Sequence, residues 1–145
     1  MTSALIGKGI LFSRGDGASP EQFVKVAEVV NVSPPALSRD SVQATHTDSP
    51  GGAHEYIPGL RDGGECTVTV NFLPANATQG NASGGLLHDY NNQDVARNYR
   101  VTFPNSPATT WTFAGFITGF QPVAPIDDRM TAEITFKVTG VPTIA

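Results

Sequence analysis

The sequence predicts an all-β fold, a sandwich or barrel of antiparallel strands with one short flanking α-helix and a long inter-strand loop. Two runs carry most of that expectation. Over residues 97–104, Tyr99, Val101 and Phe103 alternate with Asn98, Arg100 and Thr102; over 130–140, Ala132, Ile134, Phe136 and Val138 alternate with Glu133, Thr135, Lys137 and Thr139. A period of two with β-branched and aromatic residues on one parity marks a half-buried strand. Between them, residues 109–120 place Trp111, Phe113 and Ile117 on one parity and Phe116 and Phe120 on the other. Such a strand needs cover on both faces, from the sheet core and from a helix or a neighbouring subunit.

From the N-terminus, residues 1–20 form an entry arm: a short apolar piece over 10–12, then Arg14-Gly15-Asp16-Gly17, a turn by composition. Residues 23–32 read as one strand, the alternative being a helix over 21–29 that the valines disfavour through lost rotamer freedom, and Pro34-Pro35 ends it. A weaker strand follows over 36–45. Residues 45–59, with Pro50, Gly51, Gly52 and Pro58 and almost no core formers, predict a long loop. Gly63-Gly64 is a turn into a clear strand over 65–73, where Cys66, Val68, Val70 and Phe72 point inward. Residues 74–85 have the composition of a linker. The one helix is expected over 83–95, capped by Ser83 and with Leu86, Leu87, Tyr90 and Val95 near a helical stripe.

A chain of 145 residues fits one domain with a proper core. Only 15% of it is charged, which suits a surface buried against copies of itself. A net charge of -4 with nine scattered basic residues argues against a strong nucleic-acid binder. No apolar stretch approaches a membrane span, and no secretory signal is visible, so no membrane partner is expected. A single cysteine excludes an internal disulfide and suits synthesis in a reducing cytosol.

The motifs that could carry chemistry are weak. Arg14-Gly15-Asp16 matches an adhesive tripeptide but reads better as a turn. Asn76-Ala77-Thr78 and Asn81-Ala82-Ser83 have the form of glycosylation sequons, which need a secretory lumen. His46, Asp48, His54 and Glu55 cluster within ten residues, in a spacing that fits no standard metal site and a segment with little rigidity. His88-Asp89 are adjacent helix positions that do not face one another. No nucleophile with a base, dinucleotide turn or phosphate loop is present, so no catalytic residue, metal or cofactor is expected.

Several segments carry a resemblance in order along the chain. Ser38-Arg39-Asp40 leads through Thr45-His46-Thr47 to Tyr56-Ile57-Pro58-Gly59-Leu60-Arg61-Asp62-Gly63-Gly64-Glu65. Then come Trp111-Thr112-Phe113-Ala114-Gly115-Phe116, Thr118-Gly119-Phe120-Gln121-Pro122, and Lys137-Val138-Thr139-Gly140-Val141-Pro142. Together they resemble the tail tube proteins of long-tailed bacteriophages, the lambda-like major tail protein group. The resemblance implies a β-sandwich with one helix, made in the bacterial host cytoplasm. It implies assembly with copies of itself as hexameric rings stacked into a hollow tube in the virion tail. The genome leaves through that tube, so DNA passes without specific binding.

The resemblance further implies contacts with tail tip or initiator, tape measure and tail terminator proteins, and a long loop, here 45–59, that reaches an adjacent subunit or ring. From this loop and its flank, His46, Asp48, His54, Tyr56 and Arg61 are the expected ring-interface residues. Lambda's own tail protein has an added immunoglobulin-like domain; here residues 1–145 are expected to form a single tail-tube domain without it. The competing reading is a carbohydrate-binding or adhesive β-sandwich that would use Trp111, Tyr90 and Tyr99 as stacking surfaces.

Overall fold

The computed structural model describes residues 2–92 and 95–145. Its strands are β1 (Leu11–Gly15), β2 (Phe23–Lys25), β3 (Val29–Ser33), β4 (Ser38–Gln43), β5 (Tyr56–Asp62), β6 (Glu65–Asn71), β7 (Arg97–Thr102), β8 (Thr110–Val123) and β9 (Thr131–Ile144). One helix, α1 (Leu86–Asn92), lies between β6 and β7. Seven strands form one sheet in the order β2-β1-β7-β8-β9-β6-β3, while β4 and β5 pair only with each other.

The two edges of the large sheet belong to one stretch of chain. β2 pairs with β1, and β3, three residues further on, pairs with β6 at the opposite edge. At the bend between them the Val26 N–H donates to the Phe12 carbonyl at 2.9 Å, and Val26 is fully buried. Glu28 adopts a φ of 51°, and its carbonyl accepts from Asn71 N–H. Counting the bent segment once, the sheet closes on itself as a fully antiparallel barrel. The continuous strand expected over 23–32 is therefore broken: one straight strand cannot serve both edges.

A barrel this small is filled by side chains. Phe12, Tyr99, Phe113 and Phe136 meet at its centre, with Phe12–Phe136 and Tyr99–Phe136 ring centroids 5.0 and 4.7 Å apart. Cys66, Val68 and Val70 from β6 and Ala132, Ile134, Phe136 and Val138 from β9 line the wall, as their alternation predicts. β8 resolves its two-faced pattern through bulges between Thr112 and Ala114 and between Ile117 and Gly119. The second bulge restores inward parity to Phe120, which sits opposite buried Ile134 and edge-on to Phe72 at 5.7 Å. Of Phe116 and Phe120, Phe116 keeps the outward face, 41% exposed.

Three further expectations change. Arg14 and Gly15 belong to β1 rather than to a turn. Residues 74–85 are packed: Gln79 is fully buried, donates to Ala27 O at 2.7 Å and accepts from Leu73 N–H at 2.9 Å. The helix is shorter than 83–95, whose residues 93–94 lie outside the described residues. Its first N–H groups donate to the carbonyls of Thr78, Gln79 and Gly80. That close approach requires Gly85, whose Cβ would collide with the Gly80 carbonyl. Leu86 is buried as expected, but Tyr90 is half exposed and Val95 largely exposed.

The inner face of α1, docked on β8, carries a charge instead. Asp89 is buried and accepts from Arg14 Nε at 2.5 Å, Arg14 Nη2 at 2.7 Å and Tyr99 Oη at 3.0 Å. Arg97 Nε lies 3.5 Å from its other oxygen. The bidentate geometry explains why a carboxylate replaces an apolar contact. It also holds the Arg14 guanidinium above its ordinary pKa, the hydrogen bond to Asp89 being the largest cause.

Two outcomes follow from this packing. Side-chain exposures of 11% for Arg14 and 1% for Asp89 mean that Asp89→Ala leaves a buried, unpaired guanidinium. Urea unfolding of that variant should show a loss of about 3–5 kcal/mol, and a loss below about 1 kcal/mol would mean that the pair does not hold the helix. Cys66, fully buried, has its thiol pKa pushed up from 9.0 to about 12 by desolvation. Iodoacetamide should label it only as fast as the barrel unfolds. The neutral thiol's contribution to stability is present below pH 9 and declines as pH rises towards 12.

Candidate functional site

The β4–β5 hairpin stands off the barrel. Every residue of β4 is exposed, and in β5 only Gly59 is partly covered. Its register sets Val42 opposite Ile57 and Gln43 opposite Tyr56. Val42 and Ile57 share one face and are about half exposed, while Leu60 is 82% exposed. A two-stranded hairpin with one bare apolar face is marginal by itself in water, and this one leaves Val42 and Ile57 about half uncovered.

The expected loop over 45–59 is shorter, because Tyr56, Ile57, Pro58 and Gly59 belong to β5. Its tip is ordered by its own polar groups. Ala44 N–H donates to Glu55 O at 2.8 Å, Glu55 N–H to Thr45 Oγ1 at 2.9 Å, and Ser49 Oγ to Glu55 Oε2 at 2.6 Å. His46 Nε2 lies 3.3 Å from Glu55, and His54 Nδ1 2.7 Å from Gln43 Nε2. Gly51 and Gly52 turn the tip with φ of 67° and 66°. The tip is therefore held by hydrogen bonds within the chain.

Of the five residues expected at the interface, His46, Asp48, His54 and Tyr56 share this tip, all exposed. Arg61 stands apart, near the base of the hairpin and opposite Arg39. There it lines a groove of about 200 Å³ whose apolar wall is Leu37, Val141, Pro142 and Ile144. Sequence reading missed this groove, since its walls come from segments a hundred residues apart. It also missed the β8–β9 tip, where Ile126 is fully exposed.

The other motifs resolve into structure. Arg14 of the adhesive tripeptide is committed to Asp89, and the Asp16 carboxylate accepts from the Ala18 and Gln22 N–H groups, which lowers its pKa. Asn76 Oδ1 accepts from Thr78 N–H within a turn. Of the aromatics expected to stack on sugars, Tyr99 is buried and Trp111 packs edge-on against Phe103 at 5.5 Å. Among the described residues no three His, Cys, Asp or Glu side chains converge to hold a metal, and no helix is long and apolar enough to cross a membrane.

Comparison with known proteins gives a family. The model described as lambda phage tail tube protein matches residues 9–145. No curated protein sequence matches the chain. Among solved structures, a chain from the tail of an empty gene transfer agent particle, refined with C6 symmetry, superposes with a TM-score of 0.73 at 17% identity, covering 98% of this chain and 99% of that one. A chain from the sheath/tube terminator of an extracellular contractile injection system, PVC, gives 0.72 at 16% identity over 100% and 99%. A chain of the SPP1 tail tube gives 0.63 at 12% identity over 93% and 74%. At these identities the likenesses bear on the fold.

Because neither Val42 nor Ile57 belongs to the buried core or packs against it among the described residues, Ile57→Asp should leave the thermal unfolding of the isolated chain within the range of an ordinary surface substitution, about 0.5 kcal/mol. A loss of more than about 2 kcal/mol would place Ile57 in the fold's own packing.

Proposed function

The chain belongs to the lambda phage tail tube protein family, and we propose that it builds the tube from hexameric rings stacked end to end. Its role is structural and its place is the virion tail. The finer reading rests on one observation: a barrel closed on itself that leaves an apolar hairpin bare.

A closed barrel has no spare sheet edge of its own, so contacts between copies fall to what projects from it. Different surfaces of neighbouring copies meet in such contacts, which close a ring by rotation and repeat along an axis. Six copies per ring is supported by the sixfold symmetry of the gene transfer agent tail. The hairpin tip, with His46, Asp48, His54 and Tyr56, and Arg61 at its base are assigned to contacts between subunits or rings. Initiator, tape measure and terminator proteins are the partners at the ends and within the tube. The genome passes through a wall that does not bind it, in keeping with scattered basic residues and a net charge of -4. No catalysis is assigned to the chain.

Replacing residues 51–56 with a short Gly-Ser link tests the hairpin. Circular dichroism should report an intact barrel, and electron microscopy of concentrated protein should show short tubes or none. Tubes of normal length would overturn the hairpin's part in assembly.

A further inference from the structure

The β8–β9 tip and the groove beside Arg61 are complementary, and they lie at opposite ends of the molecule. β8 and β9 pair from Trp111↔Ile144 at one end to Val123↔Thr131 at the other. The groove is walled by Val141 and Ile144 at the first end, and the tip, residues 124–130, lies at the second. At about 3.3 Å per residue, fourteen-residue strands separate the two by on the order of 40 Å. They cannot meet within one chain.

The tip presents Ile126, followed by Asp127 and Asp128 and flanked by half-exposed Val123 and Met130. It is held in shape: Arg129 Nε donates to Asn71 Oδ1 at 2.9 Å, and Arg129 N–H to Asp128 Oδ1 at 2.7 Å. Docking it therefore orders little that is not already ordered. The groove offers an apolar wall beside Arg61, with Arg39 directly across the strand pair. Neither arginine has a carboxylate partner among the described residues. Asp62, which also lines the groove, accepts from the Gly64 N–H at 2.8 Å and lies 3.8 Å from Lys137 Nζ. At the groove end Arg39 and Arg61 outnumber Asp62, while at the tip Asp127 and Asp128 outnumber Arg129, whose guanidinium is turned to Asn71.

We propose that Ile126 of one copy seats in the Leu37–Val141–Ile144 groove of the next, with Asp127 and Asp128 facing Arg39 and Arg61. This deepens the tube reading and rests on it: a tip and its complement at opposite ends repeat without closing, as axial stacking requires. The other apolar segment that could fill the groove is the N-terminal arm, with exposed Leu5 and Ile6. Over residues 2–10, ahead of β1, its only charged side chain is Lys8, which the arginine rim repels.

A chain carrying Ile126→Cys and Val141→Cys tests the contact, since buried Cys66 stays silent. Oxidised after assembly, it should run as a ladder of covalent multimers on a non-reducing gel. Tubes that yield no ladder overturn the proposal, as does a ladder from Leu5→Cys with Val141→Cys in its place. The charges give a second readout in electron micrographs. Asp127→Arg with Asp128→Arg, or Arg39→Asp with Arg61→Asp, should each shorten tubes several-fold, and all four changes together should restore them. Wild-type tubes from both charge reversals overturn the contact and leave the tube reading standing. A wild-type chain that forms no tubes under any assembly condition overturns both.

Discussion

Closure of the barrel by a single bent segment is the constraint on which the molecule depends. β2 and β3 hold opposite edges of the large sheet, and the join between them is fixed by Val26 inside the barrel and by Gln79, which donates to Ala27 O. Any change that straightens this bend opens both edges at once and exposes Phe12 and Val70 together. The segment over 74–85 sits at this join and carries the chain into α1, so closure and helix position are set by the same few hydrogen bonds. Asp89 then ties the helix to β1 and β7 through Arg14 and Tyr99. Barrel, join and helix form one packed unit. The hairpin stands outside it.

That arrangement separates two tasks that compete in a protein destined to assemble. A fold that needed its neighbours to complete its core would be unstable before assembly and would expose strand edges to wrong partners. Here the core residues are saturated within the chain, while the apolar surface left over is parcelled into small patches: Val42 with Ile57, Leu60, Phe116, Ile126, and the groove wall. Patches of this size hold copies together only when several engage at once, which is how a ring or a stack differs from a chance collision.

Much of the barrel was legible in the sequence because β6, β7 and β9 face solvent on one side only, and a strict period of two survives. β8 was harder, since two bulges shift its parity, and no periodicity can show a residue that has no partner across the ladder. The break at Val26–Glu28 was hidden because valine suits either strand, and only the closed topology requires the bend. The helix was misjudged at its inner face. Tyr90 was counted in the stripe and Asp89 was not, whereas a guanidinium from β1 makes the carboxylate the buried residue. Within the candidate site, the tip residues His46, Asp48, His54 and Tyr56 were visible as a coreless stretch. The groove was not, because Leu37 and Val141 come together only through the pairing of β6 with β9 and the docking of the hairpin base.

The hairpin also shows how a bare apolar face is kept from indiscriminate pairing. β5 carries Pro58, which has no N–H to offer a neighbouring strand, and a register shift lies between Arg39 and Ser41 where Asp40 and Gly59 crowd together. Arg39 and Arg61 stand directly opposite, a like-charge pair that costs the free hairpin stability. An apolar or basic surface meeting this edge leaves that repulsion in place; only a surface bringing carboxylates relieves it. In the contact proposed between copies, the same two residues that weaken the isolated hairpin select the chemistry of what docks beside it. Specificity here comes from an unfavourable term in the free chain that the right neighbour removes.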